Sequence, residues 1–127
     1  MTDNAKTILV VDDDPDTLTY LTTVLEDNGF ATVSAKDGTE ALERLGEKLP
    51  DLVALDIAMP QKSGVAVYRA LREDDRLKGI PVIIITGMSE DFKQFISSRR
   101  QVPPPEGYIS KPVDFEQLVS TVKDLIA

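Results

Sequence analysis

Ile8-Leu9-Val10-Val11-Asp12-Asp13 is an apolar run closed by two carboxylates, and its pattern recurs along the chain. Leu52-Val53-Ala54-Leu55 stops at Asp56, Val82-Ile83-Ile84-Ile85 at Thr86, and Tyr108-Ile109-Ser110 at Lys111. Short apolar runs bounded by turn residues read as strands buried on both faces, as in a parallel sheet. Ligands of an open α/β sheet bind beyond the carboxyl ends of its strands. With these runs parallel, three acids, a hydroxyl and an ammonium converge at one end.

Between the runs the pattern turns helical. Asp14-Pro15 is an N-cap followed by Pro at the first helical position. Leu18, Leu21 and Leu25 then share one stripe, and Asn28-Gly29 is a stop. Ala31 to Ala35 reads as a second strand and Asp37-Gly38 as a turn. Ala41, Leu42 and Leu45 mark a second helix, and Val65 to Arg72 begins a third after a loop from Met59 to Gly64. Ser89 can cap a fourth helix bearing Phe92, Phe95 and Ile96, and Pro103-Pro104-Pro105 breaks the chain before the last strand. Asp114 caps the final helix, with Gln117 placed as in a capping box. Phe115, Leu118, Val122 and Leu125 form that helix's apolar stripe. Five successive βα units predict an α/β fold, a doubly wound five-stranded parallel sheet with helices on both faces.

Composition narrows the function. The 127 residues suit one domain spanning 1–127, with a core of about 7–126 and no output domain. No apolar run approaches the roughly 18 residues that span a bilayer. Met1 to Lys6 is polar and no signal peptide, which points to the cytoplasm and away from membranes. A net charge of -8 argues against direct nucleic-acid binding. The chain has no Cys and no His, so disulfides, thiolate sites, imidazole bases and imidazole ligands are excluded. Any metal held here is a hard cation with oxygen ligands.

Asp12, Asp13 and Asp56 at neighbouring strand ends would repel, by roughly 4 kcal/mol per pair about 4 Å apart at an effective dielectric near 20. Such a cluster calls for a cation, and Mg²⁺ suits carboxylates, waters and a phosphate. A carboxylate such as Asp56 can also attack phosphorus and form an acyl phosphate. Lys111 is a compact cation able to reach a phosphoryl oxygen, and Thr86 a hydroxyl able to donate to one. Each has an ordinary explanation by itself: a capped turn, a solvated Lys, a strand-end Thr. Asp14 and Asp16 read as cap and loop acids.

Taken together, Asp12-Asp13, Asp56 with Met59-Pro60 and Gly64, Thr86-Gly87, and Tyr108 with Lys111-Pro112 resemble a response-regulator receiver domain of two-component signalling. The resemblance covers Ile8 to Ile126 and implies a flavodoxin-like sheet. It implies that Asp56 is the phosphoryl acceptor, and that Asp12, Asp13, Asp56 and the backbone carbonyl of Ala58 hold Mg²⁺. Thr86 and Lys111 would contact the phosphoryl group, and Tyr108 would be the aromatic switch that follows Thr86. It also implies a cis Lys111-Pro112 bond. Ala58 and Met88 stand where the family flanks the hydrolytic water, which implies slow loss of phosphate, and Gly87 leaves room for donors. The implied donor is a phosphohistidine on a sensor histidine kinase or a His-containing phosphotransfer protein. The chain would then be a signalling phosphoprotein, not an enzyme beyond its own phosphorylation and dephosphorylation. Two departures are Ala58, where a polar residue is common, and the Pro103 to Gly107 segment.

The main alternative is an Asp-nucleophile phosphohydrolase resembling the haloacid dehalogenase family, but Asp16 stands where its motif has Thr or Val. Asp12, Asp14 and Asp16 have EF-hand spacing, yet Thr17 and Thr23 replace the required Gly and Glu. A flavin carrier of similar fold would meet three repelling acids and no phosphate-binding loop.

Overall fold

The apolar runs become strands where their composition predicts them. The computed structural model describes residues 5–56, 64–86, 107–110 and 113–126. Within it, β1 spans Thr7–Val11, β2 Ala31–Ala35, β3 Leu52–Asp56, β4 Val82–Thr86 and β5 Gly107–Ser110. Every pairing is parallel, in the order β2-β1-β3-β4-β5. The described helices are α1 (Pro15–Asp27), α2 (Gly38–Glu47), α3 (Gly64–Glu73) and α4 (Phe115–Ile126). The helix expected from Ser89 and the break at Pro103-Pro104-Pro105 lie outside the described residues.

Strand alternation divides the apolar residues between two layers, because successive side chains point to opposite faces. Leu9, Val11, Val53, Leu55, Val82 and Ile84 pack with Ala41 and Leu45 of α2 and Val67 and Leu71 of α3. Ile8, Val10, Ala54, Ile83, Ile85 and Ile109 pack with Leu21 and Leu25 of α1 and Leu118 and Val122 of α4. β1 and β3 are therefore buried along their whole length, because helices cover both faces of the sheet there. β2, at an edge, is mixed in character and only Ala35 of it is fully buried.

Local chemistry sets the helix ends. The Asp14 carboxylate accepts the Asp16 N–H at 3.1 Å and the Thr17 hydroxyl at 2.8 Å, and Pro15 opens α1. Gly29 follows α1 with φ 93°, a left-handed conformation that glycine adopts without a Cβ penalty. Asp37-Gly38 is not a free turn. Asp37 caps α2 by accepting the Glu40 N–H at 2.8 Å, and Gly38 is already helical. The early start carries Ala41 and Leu45 onto the sheet. Asp114 caps α4 as expected, accepting from the N–H groups of Glu116 and Gln117 at 2.9 and 3.2 Å. Phe115 departs from the expected stripe: it is 49% exposed, and Val119, beside Leu118 on the helix, takes the buried place. Leu42 of α2 also sits at the surface, at 36%.

A buried Arg ties the connection between α3 and β4. The Arg72 guanidinium donates to the carbonyls of Lys78 and Ile80, both at 2.9 Å, and to the Tyr68 hydroxyl at 3.1 Å. Replacing it leaves buried carbonyls without their donor, at a cost of about 1–3 kcal/mol for each group left unsatisfied. Arg72→Met is expected to lower unfolding free energy by about 2–4 kcal/mol in urea titrations, with the far-ultraviolet spectrum of the folded state unchanged.

Candidate functional site

The β1–β3 ladder brings two of the acids together. Val11 lies opposite Leu55, so one residue further along sets Asp12 beside Asp56. At the other end of the same strands Thr7 N–H donates to Asp51 Oδ2 at 2.8 Å, and Asp51 N–H donates to the Thr7 carbonyl at 2.7 Å. That reciprocal pair fixes the register from below. Asp12 N–H donates to the Ala35 carbonyl at 3.1 Å, which holds the tip of β1 against β2.

Asp12 and Asp56 are buried, with 0% and 2% of their surfaces exposed, while Asp13 faces solvent. One carboxylate oxygen from each of the three lies within 4.8 Å of the others. Asp12 has a second task. Its Oδ1 accepts the Asp14 N–H at 2.9 Å, joining the end of β1 to the start of α1. Sequence reasoning treated Asp12 only as a ligand; the available signal was its place two residues before a helix cap, where an Asx turn forms.

Three like charges at this spacing repel by about 4 kcal/mol per pair at an effective dielectric near 20. Two of them sit where water cannot screen them. A divalent cation would offset this repulsion, and the all-oxygen donor set, with no His or Cys in the chain, fits a hard cation. The residues present therefore fit the metal that the charge cluster calls for.

The other predicted residues divide in two groups. Asp56 pairs with Ile85, the residue before Thr86, so Thr86 ends β4 one step beyond the acid. Thr86 pairs with Ser110, the last residue of β5, and Tyr108 pairs with Ile84. The backbone thus brings Asp12, Asp56 and Thr86 to one edge, with Tyr108 two positions behind Ser110. Ala58, Gly87, Met88, Lys111 and Pro112 lie outside the described residues. Asp14 and Asp16 belong to the α1 cap, and so the EF-hand alignment of Asp12, Asp14 and Asp16 is not a ligand set.

Asp13 is the exposed member and has no hydrogen-bonding duty in the α1 cap. Asp13→Asn is expected to raise stability in cation-free, low-salt buffer by on the order of 1 kcal/mol, and the gain should shrink in high salt. Asp13→Ala should weaken divalent-cation binding, followed by calorimetry, far more than Asp16→Ala. Equal losses would place both acids in solvent with no ion between them.

The chain matches the family described as the response regulator receiver domain over residues 8–123. It is 31% identical over 121 residues to the polar-differentiation response regulator DivK of Brucella anthropi, covering 95% of this chain and 96% of that protein. Among solved structures it is similar to the receiver domain of a signal transduction histidine kinase from Syntrophus aciditrophicus. The TM-score there is 0.85 at 33% identity, covering 95% of this chain and 89% of the other. Chemotaxis response regulator CheY4 of Vibrio cholerae superposes with a TM-score of 0.84 at 25% identity, covering 97% of this chain and 100% of that one.

Proposed function

We propose that this chain, which belongs to the response regulator receiver domain family, takes its phosphoryl group on Asp56. It is a receiver of two-component signalling, a signalling protein and not a metabolic enzyme. The family match sets aside the haloacid dehalogenase-like reading. The single observation that supports Asp56 as acceptor is its buried carboxylate at the end of the central strand, within 4.8 Å of the oxygens of Asp12 and Asp13.

In this reading an Asp56 oxygen attacks phosphorus, and the bond from phosphorus to the donor's imidazole nitrogen breaks. The imidazole leaves and takes up a proton, and Asp56 keeps the phosphoryl group as a mixed anhydride. Since this chain has no His, the phosphohistidine belongs to a partner, a sensor histidine kinase or a His-containing phosphotransfer protein. Mg²⁺, held by Asp12, Asp13, Asp56 and the carbonyl of Ala58, would neutralise charge on the carboxylates and the incoming phosphoryl oxygens. Asp12 and Asp13 orient the acceptor. Lys111 contacts the phosphoryl group, Thr86 donates its hydroxyl to it, and Tyr108 follows Thr86, altering the surface that a downstream target reads. The work is positioning and charge compensation, which allows the chain to catalyse its own labelling without an imidazole base.

The same reading takes residues 1–127 as one receiver domain acting in the cytoplasm. None of the described helices is long and apolar enough to cross a membrane. Ala58 and Met88 lack strong groups to orient a hydrolytic water, so the phosphoryl group is slow to leave, while Gly87 leaves space for donors.

Incubation with Mg²⁺ and a small acyl or amido phosphodonor should add one phosphoryl unit to the intact mass, and Asp56→Asn should abolish the gain. Equal labelling of the Asn variant would move the acceptor elsewhere. Continuous release of phosphate from a phosphate ester would instead indicate a hydrolase. Once the donor is removed, the pair Ala58→Asn with Met88→Glu should shorten the phosphoryl lifetime roughly tenfold, if water orientation supplies about 1.4 kcal/mol. An unchanged decay would take lifetime control away from these two side chains.

A further inference from the structure

α2 covers its side of the sheet unevenly. Leu9 and Val33 are cross-strand partners, and both belong to the layer on which Ala41 and Leu45 of α2 pack. The helix ends at Glu47, and Lys48 is extended, with φ -158° and ψ 133°. Leu45 is therefore the last residue that α2 buries. Leu49, the next apolar side chain, is 47% exposed instead of folding under the helix end, while Pro50 is buried. A recess of about 230 Å³ remains there. Thr7, Leu9, Val33 and Pro50 form its walls, and Arg44, Glu47 and Lys48 its rim.

The walls are chiefly apolar, so water in the recess finds few partners and is displaced at little cost. The rim is polar but balanced. Arg44 donates from Nε to the Ser34 carbonyl at 3.3 Å, and its guanidinium lies 3.8 and 3.6 Å from the carboxylates of Glu40 and Glu47. Arg44 and Lys48 thus stand against Glu40 and Glu47, two charges of each sign. No charge is left over to call for an ionic head group, and the apolar walls penalise one. Acceptors are at hand. The Glu47 carboxylate is one, and the carbonyls of a helix's last turn have no partner within the helix. Of these, Lys48 N–H satisfies that of Arg44.

We propose that this recess is a binding site for a small uncharged arene carrying one N–H or O–H donor. An apolar cavity of about 150 Å³ holds a benzene ring, so one of about 230 Å³ takes a fused bicyclic ring the size of indole. The ring lies against Leu9 and Val33, under the alkyl stem of Arg44, and its donor points to the acceptors at the rim. The site stands at the far end of β1 from Asp12, about 16 Å along the strand from Thr7. It does not rest on the assignment of Asp56 as phosphoryl acceptor.

A ligand this small binds with a Kd on the order of 1 mM. Titration of the isotope-labelled full chain with indole to about 10 mM should saturate. Amide resonances of Thr7, Leu9, Val33, Arg44, Glu47 and Lys48 should carry the largest shifts, and the melting temperature should rise by several degrees. Val33→Ile and Val33→Phe add volume at a half-buried position of an edge strand. They should weaken binding roughly threefold and roughly tenfold or more, with the melting temperature of the free protein unchanged or raised. Val33→Ile, the milder change, carries this comparison if Val33→Phe does not fold. N-Methylindole, which lacks the donor, should bind roughly fivefold more weakly than indole, and benzoate and benzylamine roughly tenfold or more. Shifts that are absent, that do not saturate, that fall on other residues, or that persist unchanged in the Val33 variants would overturn the proposal. So would tighter binding of benzoate or benzylamine than of indole, because the rim would then be selecting charge.

Discussion

The arrangement of Asp12 beside Asp56 is the constraint on which the site depends. Two carboxylates at adjoining strand ends, both buried and joined by exposed Asp13 within 4.8 Å, are an unfavourable grouping. They stay together because β1 and β3 are locked elsewhere. The Thr7–Asp51 pair closes the base of the ladder, and the apolar residues between base and tip are buried on both faces. Packing energy along the strands holds the charges in place. The repulsion is thereby available to be relieved by a cation.

Asp12 shows how fold and site share one residue. One of its oxygens faces the acidic cluster, and Oδ1 holds the Asp14 N–H. Asp14 in turn caps α1. The loop that delivers the ligands is therefore braced by its own acids, and α1 begins at a place set by the site. Arg72 does comparable work away from the chemistry. It replaces the missing partners of two carbonyls in the turn before β4, and so sets where the strand that ends in Thr86 begins.

Much of this was legible because the sheet is buried on both sides. In such a sheet no alternation is needed, and strands announce themselves as unbroken apolar runs ended by polar residues; β1, β3 and β4 were readable for that reason. β2, an edge strand of mixed character, was readable only from its flanking stops. Asp37-Gly38 was misread as a turn, since the same pair serves a turn or a helix start and only the burial of Ala41 and Leu45 distinguishes them. Phe115 was placed in a buried stripe by its spacing, but spacing does not say how far a helix's first turn reaches over the sheet.

The order of residues along the chain was enough to establish the alternating α/β pattern, the identity of the acids, the hydroxyl and the ammonium at the strand ends, and the exclusion of imidazole and thiolate chemistry. These follow from local composition and from what each side chain can do. Tertiary structure alone decided which acids are buried, that Asp12 rather than Asp13 is the interior one, and which helix flank is left open. Burial and distance depend on how strands more than forty residues apart in sequence align, and that register is set by packing across the whole sheet. No stretch of the chain carries that information by itself.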